Sequence, residues 1–153
     1  MTMPLVGKMA TLSEDWFIEK ETTEIDSDLS PGKIVSSQKS LKAEIETNEE
    51  LSRKYTISGK IDLLIEFNDG TFGIFDCKNT SGDSDKSWMY HTQLAAYKYC
   101  FEKMGLGEVS QIGLIYQIID GFNKSNDGTS NFTTLQKFVG VTPKMDQFEK
   151  LLS

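Results

Sequence analysis

Residues 55–78 read YTISGKIDLLIEFNDGTFGIFDCK, and this stretch decides the fold. Two runs rich in Ile, Leu and Phe, residues 55–67 and 71–78, flank the segment Asn68-Asp69-Gly70. Such a segment is typical of a three-residue hairpin loop in which the glycine adopts the left-handed conformation. The stretch therefore predicts two antiparallel strands joined by a tight turn.

The loop also predicts which residues face each other across the hairpin. Counting outward from it pairs Leu63 with Phe75 and Asp62 with Asp76. Because side chains alternate between the two faces of a strand, one face is then continuously apolar. It is expected to consist of Ile61, Leu63, Ile65, Phe67, Phe75 and Cys77. Opposed carboxylates destabilise a sheet unless something offsets their charge, and a divalent cation is the simplest offset.

Lys78 follows Asp76 by two residues, so its side chain returns to the carboxylate face. Magnesium prefers oxygen ligands and commonly takes one or two protein carboxylates, with water and substrate phosphate in the other positions. A lysine beside it can help to deprotonate an attacking water or stabilise charge in the transition state. The alternative is that these residues are solvated strand ends joined by a surface salt bridge. Apolar neighbours such as Ile61 and Leu63 favour the buried site, because unpaired charges are seldom placed among them.

The rest of the chain predicts the order helix, three strands, helix, two strands, helix. Outside the hairpin, helices are expected at 13–26, 87–104 and 142–152 and strands at 41–46, 111–119 and 132–141. Ser13 is the expected N-cap of the first helix, and Gly105 the expected stop of the second. Residues 120–131 are polar and are expected to form a long loop.

Three segments occur in a fixed order along the chain: Gly59-Lys60-Ile61-Asp62, Phe75-Asp76-Cys77-Lys78 and Gln93-Leu94-Ala95-Ala96-Tyr97. They resemble the motifs G-x-x-D, D-x-K and Q-x-x-x-Y of the PD-(D/E)XK nuclease superfamily, especially its RecB-like branch. The resemblance covers about residues 41–119. It implies an α/β restriction-endonuclease-like core, a mixed β-sheet with an antiparallel hairpin flanked by helices. We expect one domain over residues 1–153, with its core at about 38–141.

The resemblance also implies roles for individual residues. Asp62 and Asp76 would be catalytic metal ligands for Mg²⁺ or Mn²⁺, and the backbone carbonyl of Cys77 would complete the inner shell. Lys78 would be the catalytic lysine. Gln93 and Tyr97 would position the substrate, and their spacing of four places them on one face of a helix. The alternative for that helix is an amphipathic core stripe of Tyr90, Tyr97 and Phe101 with Gln93 at its edge.

One position of the family pattern stays open. The family usually carries a further acid, or in the RecB-like branch a histidine, on the first helix, and the single histidine of this chain is His91, located after the hairpin. The acid could come from the first helix or from the neighbouring strand. The candidates are Glu14, Glu19, Glu21, Glu24, Glu44 and Glu46.

Composition bounds the remaining possibilities. A net charge of -7 argues against a passive electrostatic binder of nucleic acid, but less against an enzyme that holds a cation in a carboxylate cluster. Two cysteines are too few for a disulfide framework, and no run of about 20 apolar residues is present. We therefore expect a cytoplasmic protein without a membrane segment.

The expected function is a metal-dependent DNA nuclease, exonuclease-like, in DNA repair, recombination, or phage or defence processing. DNA is the expected partner, and a larger nuclease or helicase assembly is left open. One rival is a module that keeps the fold and binds nucleic acid, or takes part in an assembly, without a complete site. Another is an interaction domain unrelated to nucleic acid, in which D-x-K is only a salt bridge.

Overall fold

A computed structural model describes residues 14–47, 53–80 and 90–141, together with Leu12. One five-stranded sheet lies at its centre, with the strands in the order β1-β2-β3-β4-β5. The strands are β1 Gly32–Thr47, β2 Arg53–Phe67, β3 Phe72–Thr80, β4 Val109–Lys124 and β5 Ser130–Val141. Neighbouring strands are antiparallel except β3 and β4, which are parallel and are joined through helix α1, His91–Lys103. The expected mixed α/β architecture is confirmed.

The hairpin of β2 and β3 has the predicted turn and register. Gly70 has a φ of 87°, which a glycine adopts without a steric penalty. Its N–H donates to the carbonyl of Phe67, and the N–H of Phe67 donates to the carbonyl of Thr71. Leu63 pairs with Phe75, as the loop length predicted.

Apolar side chains fill both faces of the sheet. The first cluster lies on the side of α1 and includes Leu41, Ala43, Ile61, Leu64, Ile74, Leu94, Cys100, Phe101, Ile112 and Leu114. The second cluster lies on the other side and consists of Phe17, Ile25, Leu29, Ile34, Leu63, Ile65, Phe67, Phe75 and Ile115. Phe17 belongs to the segment before β1, so this segment covers the second face while α1 covers the first.

The expected apolar face of the hairpin is interrupted at one residue. Leu63, Ile65, Phe67 and Phe75 are in the second cluster, with Cys77 packed against it, whereas Ile61 lies in the first. The change of face lies opposite Gln38 of β1, whose φ of 53° is outside the extended range. The prediction of a continuous face was therefore wrong at Ile61.

The predicted first helix is much shorter than expected. Residues 14–17 are helical, the chain then turns at Glu19, whose φ is 67°, and a 3₁₀ turn follows at Thr22–Glu24. The Thr22 hydroxyl donates to the carbonyl of Ser30 at 2.7 Å, a tertiary contact that competes with a continuous helix. Ser13, its expected N-cap, lies outside the described residues.

The last two strands are longer than predicted. Residues 120–131 were expected to form a loop, but β4 continues to Lys124 and β5 begins at Ser130. Gly128, with a φ of 88°, allows a tight turn between them. The prediction was wrong because this end of the β4–β5 hairpin is exposed, so its strands carry the polar side chains that are typical of a loop. Within the described part of the chain, no helix is long and apolar enough to cross a membrane. The expected helix at 142–152 and the start of the second helix at 87–89 fall outside the described residues.

Candidate metal and phosphodiester site

Asp62 and Asp76 lie where β2 and β3 stop pairing. The pairing of the two strands reaches Leu63 and Phe75, and the carboxylate of Asp62 then takes over as acceptor: the N–H of Cys77 donates to its Oδ2 at 3.0 Å. Asp76 continues to pair with β4, opposite Leu114, and only 8% of its surface is exposed. The two acids predicted to face each other are therefore brought together at the open end of the hairpin.

The proximity of the two acids changes the titration of Asp62. Burial is the largest cause, and the neighbouring Asp76 carboxyl adds to it; together they raise the pKa of Asp62 to about 7. The hydrogen bond from the Cys77 N–H acts in the opposite direction but is outweighed. Two neighbouring carboxylates that are partly removed from water resist being charged together unless a cation offsets them.

Lys78 supplies a positive charge beside this pair. Its Nζ lies 2.8 Å from Oδ2 of Asp76 and 4.7 Å from the centre of the Tyr90 ring. Burial alone would lower the pKa of Lys78, but the close contact and charge of Asp76 outweigh it and raise the pKa above its ordinary value. Lys78 is thus a charged ammonium at neutral pH in this arrangement.

The contact between Lys78 and Asp76 is an ion pair with one buried partner. Oδ2 of Asp76 is buried, and the Lys78 ammonium 2.8 Å away offsets its charge. A buried charge without such a partner would carry a free-energy cost. The surface salt bridge weighed as an alternative does form, but one of its partners is buried.

Glu14 is the acid that the helical segment contributes. It is 7% exposed, and its Oε2 accepts a hydrogen bond of 2.6 Å from Nε2 of Gln38. The same nitrogen lies 3.4 Å from Oδ1 of Asp62. Burial, with a further contribution from the charge of Asp76, raises the pKa of Glu14, while Gln38 acts against it.

The structure distinguishes Glu14 from the other acids considered for this position. Glu19, Glu21, Glu24 and Glu44 are all exposed. The side chain of Glu46 is outside what the structure describes. The sequence alone left Glu14 as one of six candidate acids, and it did not indicate that Gln38 contacts the site. A useful signal was present: Glu14 lies three residues before Phe17, on the same side of a helical turn.

Gln93 and Tyr97 form a separate contact on α1. Nε2 of Gln93 donates to the Tyr97 hydroxyl at 3.0 Å. The Tyr97 ring lies so close to Gly59 that a Cβ there would come within 2.6 Å of Cε1. This explains why the G-x-x-D segment has a glycine at this position. Neither Gln93 nor Tyr97 forms a hydrogen bond with Asp62, Asp76 or Lys78, all of which the structure describes.

The core-stripe alternative for α1 accounts for its aromatic residues. Phe101 is buried, and Tyr90 and Tyr97 pack against the first cluster, while Gln93 is exposed. Tyr90 additionally covers Lys78. The helix thus joins the core to the site, and a substrate-positioning role for Gln93 and Tyr97 remains a prediction.

Cys77 lies between Asp76 and Lys78 with its side chain against the second cluster. Burial, followed by the charges of the surrounding carboxylates, raises the pKa of its thiol well above the ordinary value. A thiol held protonated is neither a nucleophile nor a metal ligand. The expected contribution of Cys77, through its backbone carbonyl, is unaffected by this and remains a prediction.

A divalent cation fits the chemistry of Asp62 and Asp76. The two negative charges repel each other. Within residues 14–47, 53–80 and 90–141, however, no three acidic, histidine or cysteine side chains form a ready ligand cluster. The residues therefore fit an ion such as Mg²⁺ that takes two protein carboxylates and fills its other positions with water or substrate.

The structure is an α/β protein whose mixed sheet opens at a carboxylate pair with a lysine beside it. The family model of the PD-(D/E)XK nuclease superfamily matches residues 8–153, and the chain belongs to this superfamily. The family indicates a nuclease acting on nucleic acid, typically with a divalent metal.

Other comparisons add less. No curated protein matches the chain. Among solved structures, the chain is similar to the one entitled "Crystal structure of SSO0001", with 15% identity and a TM-score of 0.48. The match covers 76% of this chain and 47% of that one, so the chain spans about half the length of that protein.

Proposed function

We propose that this protein is a metal-dependent deoxyribonuclease that hydrolyses phosphodiester bonds at Asp62, Asp76 and Lys78. The observation that carries the proposal is the pair of facing carboxylates, buried Asp76 and half-buried Asp62, with the Lys78 ammonium 2.8 Å from Asp76. Family membership supports a nuclease; the choice of DNA and of Mg²⁺ or Mn²⁺ is our inference. Asp62, Asp76 and the Cys77 carbonyl would hold the ion.

When bound, the ion would activate water and withdraw charge from the scissile phosphate. The residues of the chain supply the rest. Lys78, charged and held by Asp76, can donate to an oxygen of the phosphate and stabilise the negative charge that grows during attack. Its raised pKa favours this role over that of a general base. Tyr90 covers one side of the ammonium and limits its access to water.

Glu14 is a further acid beside Asp62. Burial raises the pKa of Glu14 and, together with the neighbouring Asp76, that of Asp62 to about 7, so a bound cation would stabilise the charged forms of both carboxyls. We propose that Glu14 fills the first-helix acid position of the family and completes the carboxylate group around the ion. Gln93 and Tyr97, joined to each other on α1, would contact the substrate backbone.

A second candidate has its own supporting observation. No three-residue ligand cluster exists among the residues that the structure describes, and a protein that kept the fold but lost metal binding would have this feature. Such a protein would bind nucleic acid, or take part in an assembly, without cleaving. Its binding would persist when metal is removed.

The test is cleavage of linear and circular DNA, single- and double-stranded, in Mg²⁺, Mn²⁺ or EDTA. We expect cleavage by the wild-type protein with either metal, none in EDTA, and none by Lys78→Ala. Lys33→Ala removes an exposed lysine at the far end of β1 and is the matched control. Cleavage of linear DNA alone would support an exonuclease, as we propose.

The outcomes separate the two candidates. Absence of cleavage on every substrate, with DNA binding that survives EDTA, would replace the nuclease by the binding module. Cleavage undiminished in Lys78→Ala would contradict the proposed site. A role in DNA repair, recombination, or phage or defence processing, a cytoplasmic location and a larger nuclease or helicase assembly complete the proposal. Purification from the native host would test the assembly.

A further inference from the structure

Gln38 occupies an unusual place in β1. Ser37 pairs with Leu63 and Lys39 pairs with Ile61, so Gln38 and Asp62 are opposed between these pairs. Gln38 has a φ of 53°, a conformation that costs free energy for any residue with a Cβ and that glutamine does not favour. Its side chain is exposed, so packing of that side chain into a core does not explain the strain.

The strained backbone coincides with the change of face in both strands. On β2, Leu63 is in the second cluster and Ile61 in the first, although they are two residues apart. Local distortions of this kind re-aim a side chain and are frequent beside active sites. Here the re-aimed side chain is the amide of Gln38.

That amide joins two acids from different elements. Its Nε2 donates to Oε2 of Glu14 at 2.6 Å and lies 3.4 Å from Oδ1 of Asp62. An amide nitrogen carries two hydrogens, so one group can serve both acceptors. A lysine or arginine at this position would offset the charge of the carboxylates. The amide is neutral, so it orients the carboxylates and leaves their charge available to a cation.

We propose that Gln38 is a positioning residue that holds Glu14 beside Asp62, and that its left-handed backbone serves to aim the amide. This inference rests on the proposed metal-dependent function of the same site. Groups that hold the ligands of a metal typically change its affinity by about 10- to 100-fold when they are removed. Gln38 therefore acts on metal binding through Glu14.

The first experiment titrates Mn²⁺ into the full chain without DNA. We expect Gln38→Ala and Gln38→Gly each to weaken Mn²⁺ binding by about 10-fold or more. Glycine adopts a positive φ freely, so Gln38→Gly should melt at a higher temperature than Gln38→Ala despite the same loss of binding. Ser40→Ala, two residues further along the exposed side of the same strand, should leave Mn²⁺ affinity unchanged.

A double-mutant cycle tests the route through Glu14. If Gln38 acts by holding that carboxylate, Gln38→Ala should have little further effect on Mn²⁺ affinity in a Glu14→Gln background. A structural role alone would give the same fold-change in both backgrounds. Equal fold-changes would overturn the inference.

The remaining outcomes are distinct. Wild-type affinity retained within about twofold in both Gln38 variants would overturn the positioning role while leaving the nuclease proposal in place. A flat titration of the wild-type protein would contradict both, because the site would then bind no metal. If Gln38→Ala does not fold, the comparison rests on Gln38→Gly, in which the strain is absent.

Discussion

The two ends of the β2–β3 hairpin are built from the same strands but differ in how their polar groups are satisfied. At the turn, Asp69 accepts hydrogen bonds from both the N–H and the hydroxyl of Thr71, and these contacts lower its pKa. At the open end, Asp62 and Asp76 face each other and the pKa of Asp62 is raised to about 7. The first arrangement stabilises the fold; the second retains repulsion that a cation can relieve.

Asp76→Asn, at the open end, should have the largest effect. It removes one of the two carboxylates and the partner of Lys78, so we expect cleavage to fall by about 10³-fold or more. The fold should persist, because the substitution removes a negative charge that repels Asp62 in the wild-type protein. Initial cleavage rates and near-ultraviolet circular dichroism measure the two effects. Asp28→Asn, an exposed change in the loop before β1, is the control. A variant that cleaves normally would show that the open end has no catalytic role.

Ile65→Ala, between the two ends, should damage the fold instead. Ile65 is fully buried in the second cluster, so truncation should cost about 2–5 kcal/mol of unfolding free energy. Urea unfolding monitored by fluorescence measures this loss. Cleavage by the remaining folded fraction should be near normal. A loss of cleavage in fully folded protein would mean that the core and the site are not separable.

The pH dependence of stability should report the repulsion at the open end. The folded pKa of Asp62, about 7, lies above its unfolded value, so the folded state binds the proton more tightly. In metal-free protein the contribution of this group is complete below pH 4 and is lost as the pH rises toward and through 7. Urea unfolding in EDTA from pH 5 to 8 should show this decline, and Asp62→Asn should remove it. An unchanged slope in that variant would assign the decline to other groups.

Gly70→Ala, at the turn, should have the smallest effect. The φ of 87° is unfavourable for alanine, and we expect a cost of about 1 kcal/mol with cleavage unaffected. Gly105→Ala, at the end of α1 with a φ of 72°, provides a matched control far from the hairpin. Similar costs at both positions would identify backbone conformation as the cause; loss of cleavage in Gly70→Ala would couple the two ends.

The hairpin could be predicted well because its turn and its register depend on residues that are close together in the sequence. The Asn68-Asp69-Gly70 loop determined the register, and the register brought Asp62 and Asp76 together. The ion pair of Lys78 followed from the alternation of side chains along a strand.

Features that depend on distant parts of the chain could not be predicted in the same way. Glu14 was one acid among six, and contacts such as the packing of Phe17 into the second cluster bring its segment to the site. Nothing in the residue type of Gln38 indicates a positive φ, so the change of face at Ile61 was missed. The extension of β4 and β5 was missed because exposed ribbon residues resemble a loop in composition.

The most direct test of the central claim is the titration of the Asp62 side-chain carboxyl, followed by ¹³C NMR with and without Mg²⁺. We predict a midpoint near pH 7 in metal-free protein, moving well below 7 when Mg²⁺ is added, since the ion binds the deprotonated carboxylate. Asp76→Asn should lower the metal-free midpoint and weaken the response to Mg²⁺. A midpoint near pH 4 that is insensitive to both changes would show that the two acids neither repel each other nor share a cation.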